Sequence, residues 1–182
     1  EQSGTAFLTK METMDIKHNG VRLVAVHSFR GGTGKSFITA NVAALLATSG
    51  QRVGIVDTSL QSPGIHLFFG VEGQNVEYAL NDILWEKCRI QDAVHDVTDH
   101  LDMDVGGKVF LIPSSINPGY MAQIVSQGYP ASQFTESIHQ LAIELGLDVL
   151  LIDTHPGLNE EALLALGEAD AVVMVMRPEH QD

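Results

Sequence analysis

The sequence predicts an α/β fold of three layers: a doubly wound, mostly parallel sheet with helices on both faces. Three observations predict it. Strand-like and helix-like segments alternate along the chain. The strand segments are continuous apolar runs, as strands covered on both faces require. No internal repeat or long linker divides the 182 residues, enough for one domain with a substantial core.

The elements follow in order. Residues 1–20 are polar, lack the apolar stretch of a signal peptide, and read as a flexible leader. "VRLVAVHS" (21–28) is a buried strand. "SFITANVAALLATSG" (36–50) is a helix with Ile38, Val42, Leu45, Leu46 and Ser49 on one face and Gly50 as its stop. "RVGIVD" (52–57) is a second strand. "TSLQSPGIHLFFG" (58–70) is a loop that turns at Pro63-Gly64 and ends in a short helical turn. "VEYALNDILWEK" (76–87) carries a helical stripe through Leu80, Ile83 and Leu84. The acidic segment 88–107 reads as a helix plus an exposed turn. "KVFLIPSS" (108–115) is a strand that ends at Pro113. "SQFTESIHQLAIELG" (132–146) places Phe134, Ile138, Leu141, Ala142 and Leu145 at helical spacing. "LDVLLIDTHPG" (147–157) is a strand followed by a turn. "NEEALLALGEA" (159–169) starts with Asn159 as N-cap and two glutamates in the first turn, where the helix dipole favours them. "DAVVMVMRP" (170–178) is a further buried strand.

The chemistry starts between the first strand and the first helix, at "SFRGGTGKS" (28–36). Its end, Gly34-Lys35-Ser36, fits the phosphate-binding pattern G-x-x-x-x-G-K-[ST], but the glycine that should open the pattern is Phe29. Gly31, Gly32 and Gly34 allow a left-handed backbone that approaches a phosphate without Cβ atoms in the way. Backbone N–H groups from Gly31 to Phe37, Thr33 included, then form an anion nest at a helix N-terminus. Lys35 reaches the terminal phosphates, and the Ser36 hydroxyl suits Mg²⁺. Two apolar strands end in carboxylates, Asp57 and Asp153. Such an acid beside a phosphate loop holds Mg²⁺ directly or through water, and Asp153 is the stronger candidate.

Arg30-Gly31-Gly32-Thr33-Gly34-Lys35-Ser36 resembles the deviant Walker A motif, K-G-G-x-G-K-[ST], of the MinD/ParA family of P-loop ATPases. The resemblance runs from about Val21 to Pro178. It implies a P-loop NTPase fold, ATP and Mg²⁺ as ligands, slow hydrolysis stimulated by a protein partner, and an ATP-dependent homodimer. The family's first motif lysine reaches the other subunit's ATP; that role falls here on Arg30, which keeps the charge and adds a planar fork. Lys35, Asp57 and Asp153 complete the implied catalytic set, with Ser36, Asp57 and Asp153 around the metal. Where the family's second strand resembles D-x-D, this chain has Asp57-Thr58-Ser59. Ser59 can hydrogen-bond water but is a poor base, so ATP binding is the firmer expectation and turnover the weaker. Thr154, His155, Pro156 and Gly157 resemble the second switch, with His155 a tolerated loop position rather than a base. The family's C-terminal part, with much of its adenine contact, is missing or shortened over 1–182.

Composition narrows the alternatives. The formal charge is −13, with ten Lys and Arg and no basic run, which argues against a large nucleic-acid surface. The single cysteine, Cys88, excludes a disulfide framework or a cluster held by paired cysteines of one chain, and fits a reducing, cytoplasmic setting. Any membrane or nucleoid attachment would lie in parts not seen here. The resulting expectation is a nucleotide-dependent dimerisation switch that positions or regulates cellular cargo. A metabolic P-loop ligase of the dethiobiotin synthetase type is the alternative, with a second-substrate pocket near 61–66 or 114–119. A non-hydrolysing nucleotide-binding scaffold is the third.

Overall fold

The computed structural model describes residues 20–72 and 76–178. Nearly all of the expected leader lies outside them. Six strands form one sheet: β1 (Arg22–His27), β2 (Arg52–Asp57), β3 (His95–Asp96), β4 (Lys108–Ile112), β5 (Val149–Asp153) and β6 (Ala171–Met174). Their order is β3-β4-β2-β5-β1-β6, and only the β3–β4 pair is antiparallel. Among the described residues five α-helices accompany them: α1 (Lys35–Thr48), α2 (Leu80–Leu84), α3 (Pro118–Gln127), α4 (Ala131–Glu144) and α5 (Glu160–Glu168).

Two cores lie on opposite faces of the sheet, because successive strand residues point to opposite sides. Leu23, Ala25, Val56, Ile112, Leu150 and Ile152 pack under α2, α4 and α5, against Leu80, Phe134, Ile138, Leu141 and Ala165. Val24, Val53, Ile55, Leu111, Val149 and Leu151 pack under α1, against Ala43, Leu46, Ile65 and Phe69. This double coverage is why the strands read as unbroken apolar runs. Phe134, Ile138, Leu141 and Ala142 of α4 are all buried, as their spacing predicts. Asn159 caps α5 by accepting from Ala162 N at 2.8 Å.

Three elements differ from expectation. The buried face of α1 is Lys35, Thr39, Ala43, Leu46 and Ala47, whereas Leu45 is exposed. Lys35 sets that face: its side chain must turn inward to reach Asp153, and residues 4, 8 and 11 positions later follow it round the helix. The segment 88–107 forms no α-helix, only two short 3-10 turns at Ile90–Ala93 and Thr98–His100. Its residues 95–96 pair antiparallel with β4, and Thr98 continues the match, Val109 N donating to its hydroxyl at 3.0 Å. Finally, β6 is an edge strand among the described residues, with Val172 and Met174 exposed. An apolar run alone does not distinguish an inner strand from an edge one.

A tight crossing fixes the start of β4. Gly107 N donates to Ala47 O at 2.9 Å, and a Cβ on Gly107 would collide with the Gln51 backbone carbonyl. Gly107→Ala is therefore expected to destabilise the fold by about 1–3 kcal/mol, the usual range for overpacking. The midpoint of urea unfolding measures it.

Candidate nucleotide site

The site forms where the carboxyl ends of β1, β5 and β2 lie side by side. Val26 and Asp57 are the register partners of Asp153 on its two sides. The crossover from β1 to β2 passes over β5, so the turn after β1 opens at a switch point of the sheet, where ligands bind in open α/β folds. That turn is the glycine-rich loop. Gly32 and Gly34 have φ of 72° and 91°, values L-residues rarely adopt. Gly34 ends in the left-handed region immediately before α1, and its carbonyl accepts from Ile38 N at 2.9 Å.

A cleft of about 380 Å³ lies over this loop. Arg30, Gly31, Gly32, Thr33, Gly34, Lys35, Ser36 and Phe37 all line it, as do Ser59 and Pro156. Thr154, His155, Gly157, Asp57 and Asp153 stand behind or beside this lining rather than in it. Phe37 packs edge-on against exposed Phe68, ring centroids 5.8 Å apart, and the pair walls one side.

Lys35 and Asp153 form the buried centre. The ammonium Nζ donates to Asp153 Oδ1 at 2.6 Å, with the two side chains 7% and 1% exposed. The Thr39 hydroxyl lies 3.3 Å from the same oxygen. Asp57 is completely buried and adjoins this pair. Its Oδ1 accepts from Ser59 N at 2.9 Å and its Oδ2 from Gly64 N at 3.3 Å. Burial, and then the Asp153 carboxylate, hold Asp57 above the usual carboxylate range against those two N–H donors and Lys35. Its carboxylate thus pins the loop 58–64, and Ser59 faces the cleft at the head of that loop.

The second loop is anchored at both ends of its turn. The Thr154 hydroxyl bonds Val26 O at 3.0 Å, and His27 Nδ1 lies 2.8 Å from that hydroxyl. Gly157 N donates to Ser28 O at 3.0 Å. His155 Nδ1 lies 2.8 Å from Pro156 O and 2.9 Å from Asn159 Nδ2.

Sequence reasoning missed two residues. His27 is fully buried, with burial and then Lys35 holding it below its usual value. Arg177 donates to Gly32 O on the phosphate loop. Nothing in the local sequence marks Arg177; it meets the loop because β6 lies beside β1.

The residues present fit an Mg-nucleotide. The Thr33 hydroxyl is buried without a hydrogen-bond partner, inside a loop whose glycines leave room for a phosphate. The donor set near Lys35 is hydroxyl and carboxylate oxygen, which suits Mg²⁺. No group of three His, Cys, Asp or Glu among the described residues could hold a metal by itself.

A family model described as "AAA domain" matches residues 21–181. In the solved structures, the septum site-determining protein MinD from Pyrococcus horikoshii, complexed with Mg-ADP, superposes with a TM-score of 0.71 at 26% identity. That match covers 87% of this chain and 59% of that one. The chain belongs to the MinD/ParA family of P-loop ATPases. Among curated relatives, an uncharacterised ATP-binding protein of Methanocaldococcus jannaschii is 30% identical over 86% of this chain and 53% of its own length. An iron-sulfur cluster carrier protein of Saccharolobus solfataricus is 29% identical over 85% of this chain and 45% of its own. This MinD/ParA chain therefore spans about half the length of the curated relatives it matches. Among the described residues, no helix is long and apolar enough to cross a membrane.

Proposed function

We propose that residues 21–182 form the nucleotide-binding domain of an ATP- and Mg²⁺-dependent switch, whose ATP form is a homodimer and whose slow hydrolysis a protein partner stimulates. One observation carries the reading: the buried Lys35–Asp153 pair lies directly beneath a glycine loop whose mouth is lined by Arg30. Bound Mg²⁺ would neutralise charge developing between the phosphates. Ser36 and Asp153, with Asp57 behind them, are the residues to hold it. Lys35, now paired with Asp153, is the residue whose ammonium would contact the phosphates. Arg30 lines the cleft, and it is the residue that would reach a second subunit's nucleotide. The loops 58–64 and 154–157 meet Asp57 and the phosphate loop, so a change at the phosphates is passed to both. Only a contact that differs between the two nucleotide states can move such an equilibrium. Cargo positioning is the role this cycle serves.

Light scattering with size exclusion tests the reading. The ATP-analogue form with Mg²⁺ is expected to be dimeric, and the apo and ADP forms monomeric. Arg30→Ala should weaken the dimer while leaving nucleotide binding in place. A monomer in all three states counts against the switch.

Ser59 faces the cleft but carries no carboxylate. Ser59→Asp is expected to raise basal phosphate release several-fold, because the acid orients the attacking water more firmly. An unchanged rate in the variant, with a wild type already fast, removes Ser59 as the limit on turnover.

One observation favours the ligase alternative. A pocket of about 360 Å³ lined by His66, Asp82, Ser114, Asn117 and Tyr120 lies beyond the 58–64 loop, where a second substrate is expected. The Ser114 hydroxyl donates to Asp57 O at 2.6 Å and joins it to the nucleotide site. ATP turnover that requires an added small-molecule acceptor would select this alternative.

A further inference from the structure

A separate pocket of about 290 Å³ lies between the helix after the second loop and the α3–α4 junction. Its lining includes Gln61, Val125, Tyr129, Glu160, Glu161 and Leu164. Glu161 is 7% exposed, so its carboxylate is withdrawn from water. Gln61 Nε2 donates to Glu161 Oε1 at 3.2 Å, but Oε2 is buried with no hydrogen-bond partner. The Tyr129 hydroxyl, in the lining of the same pocket, is also buried without a partner. The position of Glu161 in the first turn of α5 explains why a carboxylate is tolerated there. It does not explain a buried oxygen without a donor, an arrangement folded proteins avoid. Burial holds Glu161 above its usual range, and the Tyr129 phenol is raised by burial and by Glu161 and Glu160. Burial is the largest cause of both shifts.

We propose that this pocket is a binding site for a cationic hydrogen-bond donor, a guanidinium or ammonium group on an apolar stem. The cation donates to Glu161 Oε2 and to the Tyr129 phenol oxygen, neither of which has a hydrogen-bond partner among the described residues. Glu160 at the rim adds negative charge, and Ile124, Val125 and Leu164 receive the stem. A neutral amide would meet the donor requirement but not the charge. An anion is repelled by both glutamates. Because Gln61 holds Glu161 from the first loop, an occupant also steadies that loop. The site does not depend on the ATPase reading, and it is tested without nucleotide.

The experiment is an amide NMR titration of the whole chain with n-butylguanidinium, against the neutral isostere n-butylurea. Saturable shifts are expected at Gly128, Tyr129 and Asn159 to Leu164 with the cation, at least about tenfold tighter than with the urea. Glu161→Gln should weaken the cation by about tenfold or more, and Tyr129→Phe by less. If Glu161→Gln does not fold, the contrast between the two probes on the wild type decides alone. Capped arginine binding tighter than agmatine assigns the cation to a protein side chain; the reverse order assigns it to a small molecule. No saturable shift at these amides overturns the proposal, since water alone then fills the pocket. Equal binding of cation and urea, or equal binding to wild type and folded Glu161→Gln, overturns it as well.

Discussion

Lys35→Ala is expected to lower affinity for Mg-ATP by roughly 30- to 5,000-fold, the range for removing one partner of a buried charge pair at about 2–5 kcal/mol. The same variant has a second expected effect, on the protein without nucleotide. Lys35 Nζ is 2.6 Å from Asp153 Oδ1, and both side chains are almost wholly buried. Removing the ammonium leaves a carboxylate in the interior with the Thr39 hydroxyl beside it and the Asp57 carboxyl next to it. Breaking a buried pair from one side costs about 3–5 kcal/mol. Calorimetric titration measures the first effect and urea unfolding the second. A variant that loses nucleotide affinity at unchanged stability would show that Asp153 finds another partner. One that keeps its affinity would remove Lys35 from the phosphate site.

Asp153→Asn separates the charge of that position from its shape. The amide occupies the same space, so the fold is retained better than with alanine. Phosphate release is expected to fall by at least about 100-fold, since the variant removes an anionic oxygen that would help hold the metal while keeping a polar group there. The effect should lie in turnover more than in nucleotide affinity. A variant that hydrolyses at the wild-type rate would move the metal ligand to Asp57.

The variant also changes pH dependence, with a defined sign. In the wild type, Asp57 is held above its ordinary range by burial and then by Asp153. The folded state therefore keeps the Asp57 proton at pH values where the unfolded chain has released it. Stability from this group is full below the ordinary carboxylate range and falls as pH rises toward the folded value. Removing the Asp153 charge brings Asp57 back toward its ordinary range and flattens that fall. Unfolding of the apo protein between pH 4 and pH 8 measures both slopes, and a carbon-detected titration of the Asp57 carboxyl measures the shift itself.

Much of this molecule was written locally. Gly32 and Gly34 announce a left-handed turn, and the apolar runs on either side announce the strand and helix that frame it. Asn159 with two glutamates fixes the start of α5, and Phe134, Ile138 and Leu141 fix the inner face of α4. These signals depend on neighbours a few residues apart, so a single chain displays them. The face of α1 was misread for the opposite reason. Ile38 and Leu45 look like its apolar stripe, but Lys35 must point inward to a carboxylate 118 positions away, and that distant contact turns the helix. Residues 95–98 likewise take their form from β4, which their own sequence does not mention.

By itself, then, the sequence determined the layer architecture, the phosphate loop and the two acids at strand ends. Each follows from short-range periodicity, from glycine geometry, or from a motif confined to a few residues. Only the tertiary structure decided which strands are neighbours. The order β2-β5-β1 sets Asp57 against Asp153 and both against Lys35; the position of β6 brings Arg177 to Gly32. It also buried Glu161 Oε2 and the Tyr129 hydroxyl at one pocket, neither with a hydrogen-bond partner among the described residues. Strand order and burial are products of long-range packing, and no pattern along the chain encodes them one residue at a time.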